Sequence, residues 1–277
     1  MDYKEKKSAL LNYINDLAKD NIALAFSGGV DSSLLLKLCC DGAAKTGSKV
    51  YAVTVHTELH PMNDLAITKR VAAEMGAEHI IVELNEMEEA GITDNPVDRC
   101  YLCKKCLFTK LLAKAGELNA PVVLDGTNED DLHVYRPGIK ALRELGIISP
   151  FAKLSVTKAE IRQLAAEYGI SVASRPSTPC MATRFPYGAK LSVEAMHKAE
   201  LGEEWLRERG FYNVRLRVYD KTARIEIDLD SFTKLLSVRE ELISYLKGLG
   251  YDYISLDLEG FRSGSMDIHV TPEIVNV

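Results

Sequence analysis

Between an apolar run, Ile22 to Phe26, and a stretch with helical spacing lies Ser27-Gly28-Gly29-Val30-Asp31-Ser32-Ser33. A turn of this composition can cradle an anion. Gly28 and Gly29 let backbone N–H groups come close to a ligand, and the helix that follows adds the positive end of its dipole. Ser27, Ser32 and Ser33 bring hydroxyl donors, while Asp31 could hold Mg²⁺ against bound phosphates. No lysine stands where the GxxxxGK[ST] phosphate loop has one, so this is a different loop. The second chemical signal is the placing of the 6 cysteines. Cys39 and Cys40 sit in an apolar helical run and read as buried small hydrophobes. Cys100, Cys103 and Cys106 are clustered, and Cys180 stands alone in a Pro-rich loop. That pattern does not suggest a secreted disulfide scaffold.

The elements needed to position these residues are legible. An opening helix from about Glu5 to Ala18 precedes a strand, Ile22 to Phe26, and a helix closed by Gly42. Strands follow at Val50 to His56, Ile80 to Leu84 and Val122 to Leu124. Between them, helices are expected near Asn63 to Met75 and Tyr101 to Leu118, the latter entered from the cysteine-bearing loop. Thr157 with Glu160 at the third helical position marks a further helix start. Strands alternating with helices of this length argue for α/β architecture, a parallel sheet covered on both faces. The texture then changes. A helix from Val193 to Arg209, two alternating strands around an Asp220-Lys221 turn, a helix spanning Ser231 to Gly250 and a last strand read as a small α+β domain. Its boundary falls near Tyr187 to Leu191, giving domains of 1–188 and 189–277.

The chain has 277 residues with 47% hydrophobic and 27% charged content, ordinary for a soluble globular protein. Its formal charge of −6 speaks against a general polyanion-binding surface and disfavours nucleic acid. No apolar run approaches the roughly 18 to 20 residues of a membrane span, and no targeting segment is evident. The expectation is a cytoplasmic protein without a membrane partner.

The Ser27–Ser33 heptad resembles the PP-loop of the N-type ATP pyrophosphatases, which include GMP synthetase, NAD synthetase, argininosuccinate synthetase and tRNA thiolation enzymes. The resemblance implies a doubly wound, adenine nucleotide alpha hydrolase-like sheet with ATP at the carboxyl ends of its strands. It further implies that the loop holds the pyrophosphate while a nucleophile attacks the α-phosphorus. His56, ending the second strand, stands where members of this class contact adenosine. Asp125-Gly126-Thr127-Asn128 ends the fourth strand on the same edge, and Arg136 and Lys153 are candidates for neutralising phosphate or adenylate charge.

Further segments narrow the resemblance: DRCYLCKKCLF, DGTNEDD, YRPGIKALRELGIISPF, RPSTPCMATRFPYG, VRLRVYDKTARIEI and DLEGFRSGSMD. Together they are similar to the LarE family, pyridinium-3,5-biscarboxylic acid mononucleotide sulfurtransferases of nickel-pincer nucleotide synthesis. That likeness spans about residues 5 to 270. It implies that ATP adenylylates a carboxylate of a small nucleotide, after which sulfur displaces AMP to leave a thiocarboxylate. Cys180 matches the family's sulfur position, with Arg175 and Arg184 expected to favour its thiolate. In one branch that cysteine is itself sacrificed. In another, a CxxC pair joins it, and Cys100, Cys103 and Cys180 together would hold a 4Fe-4S cluster with one open iron. The cluster is the favoured reading, with sulfide or another sulfur donor as co-substrate. Cys106 departs from the family pattern. It shares a helical face with Cys103, which keeps a CxxCxxC or zinc arrangement open.

Arg215 and Arg217 alternate onto one strand face and match the family's substrate and phosphate arginines. Glu203 or Glu204 is a candidate metal or substrate contact, and Arg262 a weaker candidate. The family implies a homo-oligomer, a trimer or hexamer. Competing functions are tRNA thiolation, which the acidic balance and the lack of an RNA-binding module disfavour, ammonia-dependent amidation, which needs no cysteine cluster, and a non-enzymatic nucleotide or iron-sulfur sensor.

Overall fold

The computed structural model describes residues 2–61, 63–134, 136–175 and 178–267. Pro176 and Ser177 of the Pro-rich loop, and the chain beyond Asp267, lie outside the described residues. Strands β1 (Ile22–Ala25), β2 (Val50–His56), β3 (Glu78–Glu83) and β4 (Val122–Leu124) form one sheet in the order β3-β2-β1-β4. Every pairing in it is parallel. Helix α1 (Tyr3–Leu17) precedes β1, and between the strands run α2 (Val30–Thr46), α3 (Asp64–Glu74), the single turn α4 (Glu86–Glu89) and α5 (Arg99–Glu117). After β4 come α6 (Gly138–Glu144), α7 (Pro150–Lys153) and α8 (Lys158–Glu167).

Alternation along β1 shows why helices cover both faces. Ile22 and Leu24 enter a core with Leu10 of α1, Leu34 of α2, Val71 of α3 and Leu164 of α8. Ala23 points the other way, into a core with Phe108 and Leu111 of α5 and Leu142 of α6. Side chains on one strand alternate between faces, so an all-apolar strand must be covered twice. The doubly wound α/β fold expected from the sequence is therefore present. Because the order reverses at β1, the carboxyl ends of β1 and β4 open a crevice there.

The second unit begins with α9 (Val193–Glu208) and continues through the hairpin β5 (Val214–Tyr219) and β6 (Thr222–Ile227). It ends with α10 (Phe232–Ser237), α11 (Arg239–Gly248) and β7 (Tyr253–Leu256). β5 pairs antiparallel with β6, and β6 parallel with β7. Asp220, at φ 52°, supplies the left-handed turn residue of the hairpin. Its apolar core includes Trp205, Leu216, Ile225 and Leu246, together with Leu59, Ile92, Met181 and Phe185 from earlier in the chain.

Several element boundaries differ from the sequence reading. Helix α2 is not closed by Gly42, which is buried within it, but runs to Thr46 and is capped by Gly47. The single helix expected over residues 231 to 250 is divided at Val238 into α10 and α11. Helix α5 starts at Arg99, so Cys100 lies in its first turn and not in the loop before it. Helix α4 carried no sequence signal, being a single turn.

Candidate active site

Gly28 takes φ +67°, a conformation that side chains disfavour, and a Cβ there would meet the Thr68 methyl at 3.1 Å. The chain can therefore turn sharply from β1 into α2. Ser32 Oγ ties the turn together, accepting from Ser27 N at 3.3 Å and lying 3.1 Å from Ser27 Oγ. Gly29 caps α2 without any side-chain bond to the first-turn amides. Those N–H groups stay available at a positive helix mouth, the arrangement that binds phosphate. Ser33 Oγ is buried with no hydrogen-bond partner.

The loop after β4 closes on the same mouth. A Cβ on Gly126 would stand 3.1 Å from Asp31 Cβ and 3.2 Å from Ser32 N, so glycine permits the approach. Asn128 Nδ2 donates to Asp31 Oδ1 at 3.3 Å, and Lys158 Nζ pairs with Asp31 Oδ2. Lys158 comes from the first position of α8 and supplies the cation that the loop itself lacks. Arg136 is exposed and paired with Asp131 at 2.9 Å, while Asn128 N donates to Asp131 Oδ2 at 3.2 Å. His56 ends β2, beside a depression lined by Thr57, Glu58, Glu83, Leu84 and Asn85. Lys153 does not join this group: its ammonium bonds Tyr13 Oη at 3.0 Å and lies over that ring, against α1.

Burial raises the carboxyl of Asp125, against Lys104 and the hydroxyls of Ser149 and Thr127. Lys104 also lies close enough to lower the Cys103 thiol and the His60 imidazole. Lys104 thus lies within electrostatic range of both the end of β4 and Cys103. Cys103 is half-buried in the core with Met87, and its thiol is raised well above the usual range by burial first and by Glu86 next. Cys180 adds to that effect, and Cys100 in turn raises Cys180. Cys106 faces outward along α5, toward Glu89 and Lys110.

The expectation that arginines would favour a Cys180 thiolate needs correction. Burial raises this thiol, and the opposing cations are Arg99 and Arg184. Arg175 is captured elsewhere, by Asp64 at 2.5 Å and by Gly28 O at 3.4 Å. Arg184 fixes the Cys180 backbone, donating to Pro179 O at 2.9 Å and Cys180 O at 3.2 Å. Its other nitrogens bond both oxygens of Glu203 at 2.8 Å. Glu203 also accepts from Leu216 N at 3.0 Å and pairs with Arg207. Its oxygens are committed to holding α9, β5 and the Met181–Arg184 turn together. Glu204 accepts from Asn63 Nδ2 at 3.1 Å.

Arg215 and Arg217 are both buried on β5. Arg217 donates to Thr183 O at 2.8 Å, Glu226 Oε2 at 3.0 Å and Ser265 Oγ at 2.9 Å, so it braces the turn after Cys180. Arg215 lies 5.2 Å over the Phe261 ring, and burial lowers its pKa to about 10. Arg262 is paired with Asp257 at 3.3 Å and Glu259 at 2.5 Å.

Among the described residues, no three His, Cys, Asp or Glu side chains are placed to share one metal ion. A single-ion zinc site through Cys100, Cys103 and Cys106 therefore has no ligand set. A four-iron cluster asks for something else, since each thiolate sits on a separate iron. Cys103 and Cys180 line one partly apolar wall, and Cys100 lies within electrostatic range of Cys180.

Lys158, Lys104, Arg99 and Glu86 were missed from sequence. Lys158 was within reach, since it follows a capping threonine at a helix mouth. Lys104 and Arg99 sit inside the cysteine segment and differ from a solvated lysine or arginine only by their three-dimensional surroundings.

A profile of the PP-loop domain matches residues 3–99. The chain is 37% identical over 251 residues to an uncharacterised protein of Synechocystis, covering 90% of this chain and 92% of that one. It is 33% identical over 266 residues to pyridinium-3,5-bisthiocarboxylic acid mononucleotide synthase of Lactiplantibacillus plantarum, covering 96% and 95%. A more distant likeness, 25% over 197 residues, covers 58% of this chain and 53% of the tRNA-specific 2-thiouridylase of Rickettsia bellii. No described helix is long and apolar enough to cross a membrane.

Proposed function

The chain belongs to the LarE family of the PP-loop superfamily, ATP-using enzymes, and from that premise we propose that it converts a carboxylate of pyridinium-3,5-biscarboxylic acid mononucleotide to a thiocarboxylate. The observation that carries this reading is the α2 mouth, closed on one side by Gly126 and Asn128 of the β4 loop, in a chain that also sets Cys103 and Cys180 on one wall. Nucleotide chemistry at that mouth and thiol chemistry at that wall are then both provided for. Simple amidation would need the first half alone.

The first step is adenylylation. A carboxylate oxygen of the acceptor attacks the α-phosphorus, the α–β bridge breaks, and pyrophosphate leaves into the α2 mouth. Asp31 would hold Mg²⁺ on the phosphates once Lys158 turns from it to the departing charge, and Ser33 has a hydroxyl to spare. His56 and Gly126 border the adenosine, and Arg136 answers the adenylate charge. In the second step a sulfur nucleophile attacks the acyl carbon and AMP leaves with the electron pair of the broken C–O bond. Cys100, Cys103 and Cys180 would hold a 4Fe-4S cluster, which supplies an iron position able to present sulfide as the nucleophile. Arg184 and Arg217 hold the Cys180 turn in register with α9 and β5. Arg215 borders the acceptor's phosphate, braced by Arg217, whose nitrogens are committed to Glu226, Thr183 and Ser265, and the domain boundary at 188/189 separates the ATP half from the acceptor half. Exposed Leu229, Leu236, Tyr253 and Leu258 on the second unit are apolar surface that a homo-oligomer, a trimer or hexamer, would cover.

Incubation with ATP, Mg²⁺, the acceptor and sulfide is expected to give AMP and pyrophosphate in equal amounts together with thiocarboxylate. ADP and orthophosphate as products would overturn the proposal.

A further inference from the structure

Glu86 is 1% exposed, and neither of its carboxylate oxygens has a hydrogen-bond partner. Leaving a buried polar group unpaired costs about 1–3 kcal/mol, and more if it is charged. The Cys103 thiol, a weak donor, lies beside it, so the group still calls for a stronger partner than the polypeptide supplies. Its backbone is held firmly, for the Glu86 and Met87 amides donate to the Glu58 carboxylate at 3.4 and 3.0 Å. Helix α4 is fastened to α5 by Glu89 and Lys110 at 2.7 Å. The carboxylate therefore cannot easily turn away to find water. It stands against the Cys103 thiol, and its charge also reaches Cys180, Cys106 and His60.

We propose that Glu86 is a fourth, displaceable ligand of the metal cluster held by Cys100, Cys103 and Cys180. The inference rests on the cluster reading above and deepens it. Three thiolates leave one iron without a protein ligand, and the unpartnered carboxylate on the adjoining helix faces the same space. An oxygen donor on iron is harder and weaker than thiolate, so hydrosulfide can take its place. The exchange is a ligand substitution: the Glu86–iron bond breaks, a sulfur–iron bond forms, and no electron changes hands. The resting site is thereby closed to adventitious thiols while staying open to the sulfur donor.

The test uses the full chain reconstituted anaerobically with iron and sulfide, then desalted, and compares it with Glu86→Gln and Glu86→Ala. Gln is isosteric and keeps an acceptor oxygen for the Cys103 thiol. Both variants should retain the iron content of the parent, since the three thiolates remain. The electron paramagnetic resonance spectrum of the reduced cluster should differ from the parent before hydrosulfide is added and coincide with it at saturation. If Glu86 occupies the iron in about nine of ten molecules, its removal lowers the hydrosulfide concentration giving half the spectral change about tenfold. A carboxylate that merely balances His60 predicts identical spectra and identical hydrosulfide titrations, and that result overturns the proposal. Absence of iron in the reconstituted parent would overturn the cluster reading and this inference with it.

Discussion

Asp31 and Lys158 form an ion pair at the mouth of α2, where the polyanion is expected. Mg²⁺ and Lys158 compete for one carboxylate, so each residue has a distinct signature. Asp31→Asn is expected to cut AMP and pyrophosphate formation on the order of a hundredfold, the loss typical of removing one electrostatic contact to the reacting group. Lys158→Met should weaken pyrophosphate binding about tenfold, leave AMP binding nearly unchanged, and lower the Mg²⁺ concentration needed for half-maximal rate. Calorimetric titration with pyrophosphate and with AMP separates these outcomes. Equal loss for both ligands would mean that Lys158 serves the fold and not the site. Cys180 offers a second residue-scale prediction. Cluster chemistry leaves its side chain intact over many turnovers with sulfide, whereas a sacrificial thiolate leaves dehydroalanine, about 34 Da lighter through loss of H₂S. Intact-mass measurement after one turnover of iron-loaded protein is expected to show no such loss.

Elements are held in register by a few buried charges, and Glu203 is the chief of them. Burial works to raise its carboxyl, yet Arg184, Arg207 and Arg215 overcome this and bring it down to about 2 from an ordinary 4.5. A carboxyl depressed in the folded state contributes stability that is complete above the unfolded value and fades as pH falls toward the folded one. The shift corresponds to about 3 kcal/mol, lost between pH 4.5 and about 2. Glu203→Gln should cost about 3–5 kcal/mol near neutral pH, because Arg184 is left buried without its countercharge. It should also flatten the acid slope. Urea midpoints measured at several pH values check both, and a parallel acid slope in the variant would remove Glu203 from the account. Glu203 also shows where sequence reading stops. The strand-helix alternation, the phosphate loop and the Asp220-Lys221 hairpin were legible because each is written in local spacing. So was the strand face shared by Arg215 and Arg217. What period two cannot tell is whether an arginine on that face meets solvent, substrate or a buried carboxylate, and Glu226 is such a partner for Arg217. The partners of Arg175 and the orphaned carboxylate of Glu86 belong to the same class, created by contacts between residues far apart in the chain.

At the scale of the whole molecule, the two halves are stitched through the segment that carries Cys180. Met181 N donates to Leu59 O at 2.8 Å, Leu191 N to Thr93 O at 2.8 Å, and Gly188 N to Asn95 O at 3.0 Å. Asn95 returns bonds through its side chain to Phe185 O at 3.1 Å and Pro186 O at 2.8 Å. Leu59 and Ile92, from the sheet-bearing half, are buried in the same apolar cluster as Leu206, Val214 and Leu246. The strands of the second unit therefore pack on side chains that the first unit supplies, and unfolding one exposes apolar surface of the other. Burying a Leu or Ile is worth about 1.5–3 kcal/mol each, so removing several such contacts is comparable to the whole stability of a small domain. The full chain is expected to unfold in one calorimetric transition, with a van't Hoff enthalpy close to the calorimetric one. Ile92→Ala, a change within the sheet-bearing half, should lower that single midpoint and shift the fluorescence of Trp205 along with the circular dichroism of the sheet. Two resolved transitions, with Trp205 reporting only one of them, would show that the halves fold independently. The cysteines of α5 and the turn bearing Cys180 would then be held in register by the bonds around Asn95 and Arg184 alone.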